Sequence, residues 1–572
     1  MTANTLKQKL TSIVIAAIIC LVALPLRGAT SPLALQSTNT GIYLQSSSGN
    51  LSHTVAWGDY DNDGRLDLMF DGNIFHNDGN GQFHQVPSPL GIFSCWIDFD
   101  NDGYLDVFSG DRLFRNMGDG TFQQSTNTVF PPFFLSGGDN ASVVRSGDYS
   151  HDGRPDLFLR AQAEVDGNLV SVLQIWENQG NGQFTQVANQ TFASGLGGDV
   201  IFGIGDIDND GWNDIAYDIF NGRATPQNSV LSVWHNNAGN PVFTPFTRVS
   251  PDAYTHSYYF SSMALADYNN DGLLDVLAFC GNTGGLAAVR NLGSHDSAFG
   301  GNSFTNFNFG QSYAGAVCVV PADYDNDGLI DFAAVTYLTG ETVGDINGLY
   351  HNDGNDQFSF AAVPQWRASG AGGSSGAWGD YDNDGRIDFF CTQAHQGTNT
   401  LYLFKNMTSF ANTPPTAPTA LVAVAGTNSV QLSWNPATDA QTPSPGLSYN
   451  LRIGTSPGTA NVLQPSADLA TGWRRLSQRG PIQTTFYVMT NLPPGIYYWS
   501  VQAIDTAFAG GPFAPEGSFI VGGLSLQPAW VQNVVSNSAV LFSAAIPGGA
   551  PASAYFEWGN TIDFGNTTAT QD

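Results

Sequence analysis

Short apolar runs separated by polar turns fill residues 40–411, and none of them has the spacing of an amphipathic helix. In the first unit, an apolar run ends in Ala56-Trp57-Gly58, an acidic turn follows, and Leu68-Met69-Phe70 forms a second run. A third run ends at Asn77 before a glycine turn, and a fourth begins at Phe83. The pattern predicts four short strands per unit, each joined to the next as a hairpin.

The acidic turn of this unit recurs seven times, always nine residues long, with glycine at the sixth position and aspartate at the first and ninth. The turns start at residues 59, 98, 148, 206, 267, 323 and 380, so successive starts are 39 to 61 residues apart. Repeats of this length indicate stacked supersecondary units, because one unit cannot bury its apolar faces alone. Four strands per unit predict an all-β fold in which residues 40–411 form a seven-bladed β-propeller; a linear β-solenoid is the alternative. We expect a strand from each chain end to close the ring, with Gly41–Gln45 as the N-terminal candidate.

A proline-rich linker, 412–418, separates the repeats from a second all-β region at 419–521. This region resembles a fibronectin type III sandwich with Trp434 as its core tryptophan. The turn before Tyr497 resembles a tyrosine corner, and alternation along the strand favours Tyr497 over Tyr498 for that role. Residues 524–572 resemble the first strands of a further sandwich that is incomplete, because a seven-stranded sandwich takes about 100 residues.

Charge and the N-terminus indicate where the protein works. The chain has 49 Asp and Glu against 19 Lys and Arg, a formal net charge of −30, and 26 of these acids lie in the seven turns. Nucleic acid is excluded as a partner because no basic stripe is present to neutralise phosphates. Lys7 and Lys9 precede a short apolar run, which predicts a signal peptide at residues 1–29, with an uncleaved anchor as the alternative. We expect a monomer with no membrane span in the mature chain, secreted, on the cell surface or in the periplasm.

Four cysteines follow the predicted signal peptide, at Cys95, Cys280, Cys318 and Cys391. Each lies in an apolar strand-like run, and no CxxC pair is present to suggest a metal site. Buried thiols are the simplest interpretation. A disulfide between Cys280 and Cys318 of successive repeats stays open, since pairing does not follow from sequence.

The acidic turn has the ligand chemistry of a calcium loop. Ca²⁺ takes six to eight oxygen ligands from carboxylates, carbonyls and water. In the first copy the alternate residues Asp59, Asp61 and Asp63 can point inward, Gly64 permits the sharp turn, and Asp67 closes the cage. The twelfth position lacks the glutamate of an EF-hand in all seven copies, and a strand-like run takes the place of the EF-hand's exit helix. We therefore predict a calcium-binding turn between two strands rather than an EF-hand.

Seven in-phase copies of this turn resemble the FG-GAP or VCBS repeats of integrin α-chain propellers and many secreted bacterial proteins. The resemblance covers about 65% of the chain. It implies one Ca²⁺ per loop, up to seven in all, at one rim of the ring, with ligand recognition on the opposite face. Ser150 in the third copy and Asn269 in the fifth replace an aspartate, so we expect these two sites to be the weakest.

The candidate metal ligands occupy the first, third, fifth, seventh and ninth positions, the seventh through its backbone carbonyl. In chain order they are Asp59, Asp61, Asp63, Arg65, Asp67, Asp98, Asp100, Asp102, Tyr104, Asp106, Asp148, Ser150, Asp152, Arg154, Asp156, Asp206, Asp208, Asp210, Trp212, Asp214, Asp267, Asn269, Asp271, Leu273, Asp275, Asp323, Asp325, Asp327, Leu329, Asp331, Asp380, Asp382, Asp384, Arg386 and Asp388.

No catalytic residue is assigned. The GxSxG string around Ser374 lies in a glycine-rich stretch before a strand, whereas a hydrolase serine follows one. His76, His235 and His351 recur at one position of different repeats, which we interpret as blade structure. The sequence thus predicts an adhesion or recognition module for an extracellular glycan or protein. A carbohydrate-active enzyme of the polysaccharide lyase kind and a structural envelope protein are the alternatives.

Overall fold

The computed structural model of the chain describes 17 segments and six short strands near the C-terminus. The segments are 31–36, 40–42, 54–70, 72–91, 94–130, 144–165, 168–192, 200–219, 231–236, 244–245, 260–280, 285–294, 297–307, 317–336, 348–363, 375–395 and 398–522. The predicted signal peptide at 1–29, part of the proposed closing strand (43–45) and Ser374 lie outside the described residues.

The described residues are all-β, and their only helical element is one 3-10 turn at Ser444–Gly446. None of their helices is long and apolar enough to span a bilayer. The strands of the repeat region are β1 Leu33–Leu35, β2 Val55–Gly58, β3 Asp67–Phe70, β4 Asn73–Gly79, β5 Gln82–Val86, β6 Ser94–Ile97, β7 Asp106–Ser109, β8 Arg112–Asn116, β9 Phe122–Ser125, β10 Val144–Gly147, β11 Asp156–Val165, β12 Asn168–Gly180, β13 Gln183–Phe192, β14 Val200–Gly205, β15 Asp214–Ile219, β16 Leu231–His235, β17 Thr244–Pro245, β18 Phe260–Ala266, β19 Asp275–Cys280, β20 Gly285–Ser294, β21 Ser297–Phe307, β22 Val317–Ala322, β23 Asp331–Thr336, β24 Gly348–Gly354, β25 Gln357–Ala362, β26 Ser375–Gly379, β27 Asp388–His395 and β28 Thr398–Asn406.

These strands form seven four-stranded antiparallel sheets. Six sheets run in chain order: β2–β5, β6–β9, β10–β13, β14–β17, β18–β21 and β22–β25. The seventh joins β26, β27 and β28 to β1, because Leu33 pairs with Asn406 and Leu35 with Phe404. A strand from each chain end therefore shares this sheet, as the sequence predicts. The N-terminal strand in this role is Leu33–Leu35, so the choice of Gly41–Gln45 was wrong.

The first strands of neighbouring sheets lie side by side. β2 contacts β6 and β6 contacts β10; β14 contacts β18, β18 contacts β22, β22 contacts β26, and β26 contacts β2. Aromatic side chains fill the space between the first and last of these sheets, where Trp57 stacks on Tyr381 and donates its indole N–H to the carbonyl of Ala377, at 3.2 Å. The apolar core therefore lies between sheets, as expected for units that cannot bury their faces alone.

One asparagine in each repeat ties that repeat to its neighbour. Its Nδ2 donates to the backbone carbonyl at the second position of the preceding acidic turn, and in six repeats it also donates to a carbonyl of its own repeat. The seven bonds to the neighbour, of 2.6–2.9 Å, are Asn77 to Tyr381, Asn116 to Tyr60, Asn178 to Phe99, Asn236 to Tyr149, Asn291 to Ile207, Asn352 to Tyr268 and Asn406 to Tyr324. The first repeat thus bonds to the seventh in the same way as each repeat bonds to the one before it.

The second region forms two packed three-stranded sheets, β29–β30–β32 and β31–β33–β34. Their strands are β29 Thr419–Ala425, β30 Val430–Asn435, β31 Ser448–Gly454, β32 Phe486–Met489, β33 Gly495–Ile504 and β34 Gly517–Val521. Trp434 is 5% exposed and packs against Tyr449 and Trp499, as expected for a core tryptophan. The hydroxyl of Tyr497 donates to the carbonyl of Pro493 at 2.7 Å, which is the corner geometry expected from the sequence.

Beyond this sandwich, short strands pair as β35 with β38, β36 with β37 and β39 with β40. They span Ser525–Leu526, Trp530–Val535, Ser538–Phe542, Ala545–Ile546, Glu557–Trp558 and Asn566–Thr567. In the repeats, Cys95, Cys318 and Cys391 are free thiols, so the disulfide left open at Cys318 is not formed in this structure.

We predict that Asn77→Ala lowers the free energy of unfolding by about 1–3 kcal/mol, because it leaves the buried carbonyls of Leu66 and Tyr381 without their amide donor. Denaturant titration of metal-free protein measures this change. The control is Gln123→Ala on β9, where the side chain is exposed and a change within about 0.5 kcal/mol is expected. Equal effects of the two substitutions would mean that the asparagine contacts contribute nothing specific.

Candidate functional site: the seven acidic turns

Each acidic turn is folded around its first aspartate. In the first copy, Asp59 Oδ1 accepts the N–H of Asp63 at 3.0 Å and Asp59 Oδ2 accepts the N–H of Gly64 at 3.1 Å. Gly64 has φ +83°, a left-handed conformation that a side chain would strain. The Oδ2 bond to the sixth-position glycine recurs in all seven copies. The turn is therefore preformed by hydrogen bonds that a nine-residue motif can make on its own.

The ninth aspartate connects the turn to its sheet. All seven of these residues are 0% exposed, and each begins the second strand of its sheet, which confirms that a strand follows the turn. In the first copy, Asp67 Oδ2 accepts the N–H of Tyr60 at 3.2 Å and Oδ1 accepts the N–H of Asn77 at 2.8 Å. Because Asn77 also bonds to the preceding repeat, the carboxylate is fixed from both sides.

The structure brings together the predicted ligands at the first, third and ninth positions, whereas the fifth-position Asp63 groups with Asp61 and His76. One carboxylate oxygen from each of Asp59, Asp61 and Asp67 lies within 4.8 Å of the other two, and Asp98, Asp100 and Asp106 repeat this arrangement. Two oxygens on opposite sides of a Ca²⁺ ion are separated by about 4.6–5.2 Å, twice the usual bond length. The spacing of the carboxylates therefore fits an ion of this size.

Some cage oxygens are buried without a hydrogen-bond partner. Asp206 Oδ1 and Asp275 Oδ2 accept no hydrogen bond, although these residues are 4% and 0% exposed. A buried carboxylate oxygen without a partner is costly unless a cation or a proton compensates it. The cages thus have the size and the unsatisfied oxygens that a hard divalent cation requires.

Burial strongly perturbs several of the cage carboxylates. Burial, reinforced by neighbouring carboxylates, raises the pKa of Asp106 and Asp275 to about 9 and that of Asp206 to about 8. Burial also raises the pKa of Asp98 and Asp323 to about 7. These carboxylates therefore favour their protonated form, because burial removes the water that stabilises their charge and neighbouring carboxylates add repulsion.

Sequence reasoning missed a second group that faces the cages. The residue just before the bridging asparagine of the third strand is His76, Arg115, Glu177, His235, Arg290, His351 or Lys405 in the seven repeats. His76 Nδ1 lies 3.3 Å from Asp61 Oδ2 and 3.2 Å from Asp67 Oδ1, and Arg115 Nε lies 2.5 Å from Asp100 Oδ2. The recurring histidines, interpreted from sequence as blade structure, therefore contact candidate ligands directly. The recurrence of histidine at one position of the repeat was the sequence feature from which this contact could have been predicted.

The fourth position of the turn forms a further link between repeats that the sequence did not reveal. Asn62 has φ +61°, and its Nδ2 donates to the carbonyl of Gly103 in the next turn, at 3.2 Å. Four other repeats make the same bond, from Asn101, Asn209, Asn270 and Asn383. The bond from Asn383 goes to Gly64, so the last turn is again tied to the first.

Comparison with protein families matches residues 98–159 to the FG-GAP-like repeat, and this stretch contains the second turn and most of the third repeat's first hairpin. An FG-GAP-like repeat is therefore present in the chain. No curated protein matches the sequence.

Several solved structures are remotely similar. An Agrocybe aegerita lectin that recognises non-reducing terminal N-acetylglucosamine is 19% identical, with 55% of this chain and 79% of the lectin covered and a TM-score of 0.35. The extracellular domain of a hybrid two-component system from B. thetaiotaomicron is 12% identical over 86% of this chain and 58% of that one, with a TM-score of 0.31. The WD40 domain of SCAP from fission yeast is 10% identical over 91% and 99%, with a TM-score of 0.29. Similarities this remote assign no function.

We predict that the metal-free protein becomes less stable as the pH rises from about 5 to about 9. The folded-state pKa values of buried cage aspartates such as Asp98 and Asp106 lie above the unfolded value of about 3.9, so the folded state keeps protons that the unfolded state has lost. His351 acts in the same direction, because its bond with Asp331 raises its pKa to about 9. Thermal melts in chelator at several pH values measure the trend. A melting temperature that rises with pH under these conditions would contradict it.

Proposed function

We propose that this chain is an extracellular recognition module built on a closed seven-bladed propeller, with Ca²⁺ held in its acidic turns. The seven copies of one preformed oxygen cage carry the proposal. The cages are supported by their oxygen spacing and by their buried oxygens without partners. Closure is supported by the contact of β26 with β2 and by the bonds that tie the first turn to the last.

The carboxylates at the first, third, fifth and ninth positions and the carbonyl at the seventh would hold the ion. Ca²⁺ would supply positive charge where the fold concentrates negative charge, and would neutralise about half of the formal charge of −30 if all seven turns were filled. The role is structural: each turn joins two strands of one sheet, and the carbonyl at its second position accepts a hydrogen bond from the asparagine of a neighbouring repeat. Recognition, not catalysis, is the activity that this arrangement supports, since the carboxylates are committed to the cage.

The sandwich at 419–521 is assigned to the fibronectin type III class on its two three-stranded sheets, its core tryptophan and its tyrosine corner. It packs on the rim of acidic turns, where the hydroxyl of Thr506 bonds to Asp323. We assign recognition of a glycan or protein to the opposite end of the sheets. At that end the hairpin of β11 and β12 is long, with strands of 10 and 13 residues. The equivalent strands of the second sheet, β7 and β8, have only four and five residues.

We predict that removing calcium sharply lowers the melting temperature. A site exposed to free calcium at ten times its dissociation constant stabilises the folded state by about 1.4 kcal/mol, and several such sites add up. Thermal melts in calcium and in chelator at equal ionic strength test this prediction. Metal analysis after equilibrium dialysis gives the number of bound ions, for which we expect up to seven per chain. The third and fifth sites are expected to fill last. A melt that is indifferent to chelation, together with no bound calcium, would overturn the metal assignment.

We predict that the full chain binds a defined subset of glycans, or a protein ligand, in calcium and loses that binding in chelator. A glycan array probed with the calcium-loaded and the chelator-treated protein tests binding to glycans. The matched control is the same protein reloaded with calcium after chelation. Turnover of an acidic polysaccharide in place of binding would contradict the recognition assignment and favour a lyase.

A further inference from the structure

The connection between β31 and β32, residues 455–485, lies against the acidic rim of the repeats. It forms only isolated backbone bridges, and segments this long without their own strands are usually functional in compact domains. One bridge pairs Leu476 with Gly58, the residue just before the first turn, and Asp59 donates its backbone N–H to the carbonyl of Arg475 at 2.8 Å. The connection is thus joined to the repeats by backbone bonds.

The packing between the two regions is close. Trp473 packs against the apolar cluster between the first and seventh sheets, and Leu476 against the cluster between the first and second sheets. Ala507 is buried in the cluster between the sixth and seventh sheets. A Cβ on Gly328, in the sixth turn, would lie 2.0 Å from the carbonyl oxygen of Gln441. The sandwich is therefore seated on the rim and does not act as a free spacer.

Three side chains of the sandwich region donate hydrogen bonds to the first aspartate of a turn. Trp473 Nε1 donates to Asp59 at 3.1 Å, and the hydroxyls of Tyr487 and Thr506 donate to Asp148 at 2.8 Å and to Asp323 at 2.9 Å. The three donors come from three different elements. The acceptor atom is nevertheless Oδ2 in every case. We therefore interpret the three contacts as having one common role.

The choice of oxygen is informative. Oδ2 already accepts the N–H of the sixth-position glycine, so the added donor uses its second lone pair. Oδ1 accepts the N–H of the fifth residue, and its second lone pair is the one that we assign to the metal. The donors therefore hold the carboxylate in one orientation and leave Oδ1 to act as a single metal ligand.

Two arginines of the same connection also lie near the first aspartates of the turns. Arg475 lies near Asp98 as well as Asp59, and these carboxylates oppose the effect of burial, which lowers the pKa of Arg475. Arg479 is placed in the same way near Asp206 and Asp267, and its Nη2 donates to the carbonyl of Ile204 at 3.3 Å. Basic residues of the connection thus meet the acidic rim.

We propose that Trp473, Tyr487 and Thr506 are outer-sphere positioning residues of the first, third and sixth metal sites, so that docking of the sandwich and loading of these sites are coupled. The inference rests on the proposed binding of calcium. Groups that orient a ligand carboxylate from outside typically change metal affinity by 10- to 100-fold, and coupling of this kind acts equally in both directions.

Tyr487→Phe tests the proposal in the full chain, because phenylalanine keeps the ring that stacks on His151 at 4.6 Å and loses only the hydroxyl. Equilibrium dialysis at the lowest free calcium that saturates the wild type, followed by metal analysis, is expected to show one ion fewer per chain. The matched control is Tyr497→Phe, which loses a hydroxyl bonded to Pro493 inside the same sandwich. The control is expected to bind as many ions as the wild type.

Thr506→Val makes the equivalent change at the sixth site and is expected to cost one ion as well, whether or not Tyr487→Phe folds. If the wild type binds calcium and the folded variants bind as many ions as the wild type, the outer-sphere role is overturned while the calcium proposal stands. If the wild type binds no calcium, the calcium proposal itself fails and this inference fails with it.

Discussion

The burial of several carboxylates close together in each turn is the constraint on which the rest of the structure depends. Each repeat places three or four aspartates in one turn, and the ninth is fully buried at the start of a strand. Burial removes the water that would screen these charges, so the carboxylates need a proton, a cationic side chain or a metal ion. The raised pKa values and the cationic side chains beside most of the cages are consequences of this one requirement.

The same turns hold the repeats together. The bridging asparagine contacts the ninth aspartate of its own repeat and the turn of the preceding repeat, so a change in one cage reaches the next through two hydrogen bonds. A cation that relieves repulsion in a turn would therefore tighten the contact between sheets as well as the turn. Individually weak sites could in this way affect the stability of the whole set of repeats.

Much of the fold was predictable because each repeat is specified by residues close together in the sequence. Glycine at the sixth position and aspartate at the ninth specify a turn and a strand start, and the structure places both as expected. The third strand was expected to end at its asparagine, but in four repeats it continues two or three residues further. The corner at Tyr497 followed from alternation along one strand. The closing strand was misplaced because Leu33–Leu35 is short and its partner, β28, lies more than 360 residues away in the chain.

The contacts that cross between elements were not predictable. The orientation of His76 toward the cage depends on how the third strand twists past the turn, and sequence periodicity does not report this. The packing of the sandwich on the rim depends on surface complementarity between the two regions. The sequence shows only that the repeats are acidic and that the sandwich region contains Arg475 and Arg479. Such contacts arise from tertiary packing, for which one sequence contains no simple pattern.

Long-wavelength diffraction from calcium-grown crystals tests the central claim most directly, because anomalous scattering locates each calcium ion. The account predicts peaks inside the acidic turns, bonded to Oδ1 of the first aspartate, with the hydroxyls of Tyr487 and Thr506 still on Oδ2 of Asp148 and Asp323. An intact fold with no anomalous peak in any turn, and with His76 and its equivalents still against the carboxylates, would contradict it.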